Sequence, residues 1–375
     1  MSGGLVMVMD LQNERKNSKV STHKEGVEIC QVESHIIIPS KYVFNIRRFG
    51  DSIPMLMLQF TKTPFTILPD HYPFLFIKTI HLESRGHTIL NITGLQLWCL
   101  VCTLPLQQQT DIKKAATRGI ATLKDLIPSL HIVLVPYSQI VLNVEIDEER
   151  FESLSKQKIN AVTHQIGNIC DIPFDLARLC TFYMPRLDIS SLTLLQPNVF
   201  LDNGFRKKLF EKDRHSEGYC KNKFVELNGS GNVTFENASQ VALQINILVE
   251  NAKIPGMFYT PREKPVEEIE IKIMNIPLQK GGPDLFLFAD KLLHNIPLDT
   301  LNIAHYTWTF QTFEQFKNGQ GFLTTSPTYT SLRVDNISVF VKLSPHIDQN
   351  SKIICWVKCI DYVEYSTGTL APRHY

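Results

Sequence analysis

At 375 residues, with 43% hydrophobic and 20% charged side chains, the chain has a globular composition and length enough for two domains. Lys and Arg number 38 against 37 Asp and Glu, a formal net charge of +1. That balance excludes the basic field expected of wholesale binding to nucleic acid or to an anionic membrane surface.

Residues 1–27 read as a mobile N-terminal leader. Their apolar start is broken by Asp10 and lacks the basic and apolar regions of a secretory signal. No apolar run reaches the ~18 residues of a membrane span. The chain is therefore expected to be intracellular, in nucleus or cytoplasm, with no membrane partner and its cysteines reduced.

Residues 28–170 are expected to form a first β unit. The runs at 33–46, 55–60, 73–82, 87–104 and 129–146 are rich in Ile, Val, Leu and Phe and are punctuated by Pro, Gly and Asp. Helices are expected at 110–127 and at 147–169, the second closing the unit. Cys99 and Cys102 form a CxxC inside an apolar run, LWCLVCTL. A strand there puts them on opposite faces, as core thiols and not as a metal or redox pair.

Residues 171–375 are expected to form a second β unit, with strands within 190–195, 223–227, 232–250, 267–276, 305–313, 332–343 and 352–365. Trp98, Trp308 and Trp356 lie in apolar strands and read as core. The twelve histidines are scattered and form no HExxH pair, and GxxxxGK[ST] and GxSxG are absent. The fold class is all-β, two β-barrel or jelly-roll units in one chain with a few short helices, and no sequence repeat relates the halves.

One stretch carries more. VFLDNGFRKKLFEK, residues 199–212, reads on pattern as a tight hairpin turning at Asn203-Gly204, with Arg206, Lys207 and Lys208 as a charged edge. The order Asp202, Gly204, Phe205, Arg206 also resembles the third motif of dUTPases, Gly-x-Ile-Asp-x-Gly-Tyr/Phe-Arg-Gly. With two β units in one chain, the protein resembles a herpesvirus dUTPase of the betaherpesvirus branch. Val199 and Lys207 replace the flanking glycines, and EGYCKN at 217–222 has Cys220 where Ala-Gly-Tyr-Asp ends in Asp.

The resemblance implies that dUTP is hydrolysed to dUMP and pyrophosphate by a monomer using Mg2+. It makes Asp202 the carboxylate that activates water, Phe205 the platform for the deoxyribose, and Arg206 a supporting cation. Asn203 and Gly204 would hold the uracil through their main chain. Since no Gly-rich phosphate arm is visible, the scaffold could instead serve in protein interactions. The competing expectation is a viral structural protein, such as a capsid or movement protein, built on a double jelly roll without enzymatic activity.

Overall fold

The computed structural model describes residues 26–38, 40–60, 72–123, 130–135, 139–147, 192–210, 214–236, 240–253, 256–294, 303–310, 333–366 and 369–372. The first unit contains β1 (Gly26–Glu33), β2 (His35–Ile38), β3 (Lys41–Asn45), β4 (Met57–Phe60), β5 (Ile77–Ser84), β6 (His87–Ile92), β7 (Ile120–Thr122), β8 (Ile140–Ile146) and β9 (Leu192–Phe200). Among the described residues three α-helices interrupt them, α1 (Tyr72–Leu75), α2 (Gly94–Cys102) and α3 (Leu106–Thr117). The strands pair in two antiparallel sheets, β1-β9-β4-β7 and β2-β3-β8-β5-β6.

After α4 (Asn203–Phe210) comes the second unit: β10 (Arg214–Asn228), β11 (Gly231–Thr234), β12 (Val241–Glu250), β13 (Val266–Ile273), β14 (Ile276–Gly281), β15 (Tyr306–Thr309), β16 (Ile337–Leu343), β17 (Lys352–Ser366) and β18 (Thr369–Pro372). Its sheets are β10-β17-β12-β15, with β18 added to β17, and β11-β16-β13-β14. Leaving out β2 and β18 and counting strands in chain order, each unit has the order 1-8-3-6 in one sheet and 2-7-4-5 in the other. This is the double Greek key of a jelly roll, made twice. The expected all-β class holds, and the halves repeat in topology although not in sequence.

Strand alternation builds both cores. Burial alternates along β8, with Ile140, Leu142, Val144 and Ile146 turned inward, and β16 alternates in the same way. Strands β13 and β14 join through Met274-Asn275, both at positive φ, a two-residue turn inside what reads in sequence as one strand at 267–276. Strand β15 is a sheet edge, and the chain covers it. The Asp290 carboxylate accepts the Thr309 N–H at 2.8 Å and the hydroxyls of Thr307 and Thr309 at 2.8 and 3.0 Å. These bonds occupy the Thr309 N–H that another strand would need.

Several expectations need correcting. The run at 87–104 is strand only to Ile92, after which α2 begins under a reciprocal capping box between Thr93 and Gln96. Gly94 admits the tight start, because a Cβ there would collide with the carbonyl oxygens of Phe74 and Ile77. Cys99 and Cys102 are buried thiols, as expected, but stand one turn apart on this helix and not on opposite faces of a strand. The helix expected at 110–127 ends at Thr117. Gly119, at φ +83, turns the chain into β7. The closing helix expected at 147–169 lies outside the described residues. Strand β9, assigned to the second unit by a boundary at residue 170, pairs with β1 and β4 and completes the first.

Candidate functional surfaces

Over its described residues, 199–210, the stretch is not a hairpin. Val199 and Phe200 end β9, and Asn203, Gly204, Phe205 and Arg206 lie in α4, with the Arg206 N–H donating to Asp202 O at 2.9 Å. A helix supplies neither the type I′ turn read at Asn203-Gly204 nor the turn by which the dUTPase resemblance has uracil held. Asp202 stands directly before the helix, as N-terminal acidic residues often do. Arg206 is tied back into the first unit. Its Nη2 lies 2.6 Å from both carboxylate oxygens of Asp51, which also accepts the Leu201 N–H at 2.8 Å.

Asp51 is buried, whereas the Arg206 side chain is 42% exposed. The segment carrying Asp51 is threaded onto β9 by backbone bonds from Asp51 and Ser52 to Val199 O and from Val199 to Ser52 O. Gln196 holds both the N–H and the carbonyl of Arg47 through its amide. These residues form a clamp at the exit of the first jelly roll. Asp202, Asn203, Gly204, Phe205 and Arg206 are brought together as the start of a linker helix, and Asp51, the residue that gives Arg206 its role, carries no sequence signal.

Among the described residues no group of three or more His, Cys, Asp or Glu is placed to hold a metal ion. The Mg2+ expectation rested on the dUTPase resemblance alone. No helix among them is long and apolar enough to cross a membrane.

A buried seam lies between the two units. Side chains of β12 and β17 alternate: Ile247, Ile353 and Cys355 enter the second core, while Leu248, Ile354 and Trp356 belong to the core that continues into the first unit. Trp356 is sandwiched between Phe224 (5.3 Å between ring centroids) and the parallel imidazole of His305 (6.0 Å). Burial holds the His305 ring neutral, and its Nε2 meets Asn246 Oδ1 at 3.0 Å.

From the first unit, α2 closes this seam. Trp98 stacks on Phe74 and donates its indole N–H to Gly256 O at 2.9 Å, and Gln96 Nε2 reaches Glu226 at 3.2 Å. The far end of β17 and β18 send Val363, Tyr365 and Leu370 into the same core, where the Tyr365 hydroxyl accepts the His131 N–H at 3.3 Å. Trp98 and Trp356 are core residues as expected, and both are seam residues. Trp308 is half-buried against Phe286.

Among the described residues, large apolar side chains are exposed in both units. On β1, Val27 and Ile29 are 62% and 59% exposed, and the partners of this face on β9 are Val199 and Pro197. In the second unit Leu292 and Leu293 are 62% and 76% exposed at the end of α5 (Asp290–Leu293), and Met274 and Ile276 are exposed at the β13–β14 turn. Side chains of this size in groups mark contact surfaces on soluble proteins.

No family model matches the chain, and no curated protein matches it in sequence. Solved structures do match in fold. VP54 of PBCV-1, as fitted into a reconstruction of the virophage Sputnik, is similar over 96% of this chain and 100% of that one, at a TM-score of 0.63 and 10% identity. The quasi-atomic PBCV-1 virus capsid gives 0.62 over the same shares at 10% identity. The Faustovirus major capsid protein gives 0.57 over 96% and 97% at 8% identity. These likenesses overturn the dUTPase resemblance, and with it dUTP as partner and the expectation of a monomer, both of which followed from it. The chain folds as a double jelly roll of the architecture seen in these viral capsid proteins.

Proposed function

We propose that the protein is a structural protein of a virus, a building block of its shell, and not an enzyme. The observation that carries this reading is the repeat of one jelly-roll topology along the chain, joined by a buried seam, with full-length likeness to capsid proteins. The seam fixes the two units as one body, which suits a part that must tile. Val27, Ile29, Leu292 and Leu293 are exposed apolar side chains, which suits self-association. A near-neutral net charge keeps repulsion between copies low. Assembly within an infected cell agrees with the expected intracellular location.

Sedimentation velocity of the full chain over a concentration series tests this. The shell reading expects defined oligomers that grow with concentration. A chain that stays at its 42.9 kDa monomer mass throughout would count against it.

A further inference from the structure

The seam buries an imidazole. His305, 3% exposed, lies just before β15 against the outer face of the β10-β17-β12-β15 sheet, its ring parallel to Trp356. The opposite face of that sheet, with Ile247, Ile353 and Cys355, fills the second core. Parting the two units would therefore wet His305 and leave the second core intact.

The surroundings of the ring suit only its neutral form. Its Nε2 lies 3.0 Å from Asn246 Oδ1, an acceptor, so the proton sits there and Nδ1 keeps a lone pair. Nδ1 is buried and has no hydrogen-bond partner among the described residues. A second proton would make a cation whose one acceptor is an uncharged amide, and the Lys291 ammonium on α5, itself 1% exposed, opposes that charge. Asp290 of the same helix is engaged by Thr307 and Thr309, and His294 stands 3.8 Å from Asp290. Elsewhere on this face Glu250 of β12 accepts the Gly256 N–H at 2.6 Å, Glu226 of β10 pairs with Lys352 at 3.1 Å, and Lys358 of β17 adds positive charge. Trp356 offers its π face to a cation, which offsets only part of the cost of burying an unpaired charge.

We propose that His305 makes the seam an acid-operated joint: on acidification the ring takes a proton at Nδ1 by parting from Trp356 into water, and the seam opens while the second core stays closed. The sign follows from the linkage. The open state binds the proton near the ordinary value of 6.5 and the closed state does not, so the closed seam is fully stable above that pH and weakens as pH falls through it. The joint lies within one chain and does not depend on the shell reading.

The test uses the full chain, wild type and His305→Gln, with circular dichroism confirming the fold. Two fully buried thiols report on the two regions: Cys99 on α2, which feels the charges of Glu250 and Glu226 across the seam, and Cys355 in the second core. Their rates of labelling with dithiodipyridine are read by peptide mass spectrometry, and comparing proteins at one pH cancels the reagent's own pH dependence. From about pH 7.5 to about pH 5, the wild-type rate at Cys99 should rise about 30-fold relative to His305→Gln, as one proton taken up by an ordinary imidazole dictates. Cys355 should stay protected in both. Asn246→Asp gives the imidazolium a carboxylate partner and should also abolish the rise, a second test that stands if His305→Gln fails to fold. Equal rates in wild type and His305→Gln, or a rise that survives Asn246→Asp, would overturn the joint. So would Cys99 and Cys355 becoming reactive in step, the mark of global unfolding.

Discussion

Breaking the Asp51–Arg206 pair should loosen the exit of the first jelly roll without touching either core. The Asp51 carboxylate is buried and has Arg206 Nη2 at 2.6 Å from both oxygens and the Leu201 N–H at 2.8 Å. Removing one partner of a fully buried pair costs about 3–5 kcal/mol, because the other charge is stranded. The exposure of Arg206 lets water reach the carboxylate, so Arg206→Ala should cost less, about 2 kcal/mol in urea unfolding. Asp51→Asn keeps an acceptor for Leu201 and should cost about 1–2 kcal/mol. The double variant should lose less than the sum, with a coupling of about 1–2 kcal/mol. A coupling below about 0.5 kcal/mol would refute the clamp and return Arg206 to the role of an ordinary surface charge.

Three further perturbations probe the frame. Trp98→Ala removes a buried indole and strands Gly256 O, and should cost about 3–5 kcal/mol in urea unfolding; a loss under about 1 kcal/mol would show that α2 does not hold the seam. Gly94→Ala drives a methyl group into the carbonyls of Phe74 and Ile77, so thermal melting should fall by more than an exposed Gly→Ala could explain, and an unchanged midpoint would contradict the tight start of α2. Burial pushes the Lys291 ammonium down to about 8, partly opposed by Asp290, from an ordinary value of 10.5. Between those pH values the unfolded chain holds a proton that the folded chain has released, so this group adds stability as pH rises. Lys291→Met should therefore be most stabilising relative to wild type below pH 8 and lose that advantage by pH 10.5, by up to about 3 kcal/mol. A difference independent of pH would contradict the buried ammonium.

Strands were legible in the sequence where a run with one buried face is long enough to alternate, as in β8 and β16, whereas the three residues of β7 fell inside an expected helix. Helix α2 was not, since Leu95, Leu97, Trp98, Cys99 and Val101 are all buried and leave no periodicity to separate helix from strand. Its only local sign was the Thr93–Gln96 capping box. Asn203-Gly204 pointed to a hairpin because that dipeptide suits a type I′ turn, and the clamp by Arg206, which lies 155 positions from Asp51, outweighed it. The dUTPase resemblance rested on a handful of residues around that dipeptide. The jelly-roll repeat, by contrast, lies in strand order alone. Any alternating apolar residue can fill a given inward position, so two copies of one topology need share no visible sequence.

Imaging the concentrated full chain by cryo-electron microscopy tests the central claim most directly. Building blocks of a shell should appear as rings, sheets or closed particles in which every chain contributes two adjoining jelly rolls. A uniform field of isolated 42.9 kDa particles under conditions that keep the protein folded would contradict it.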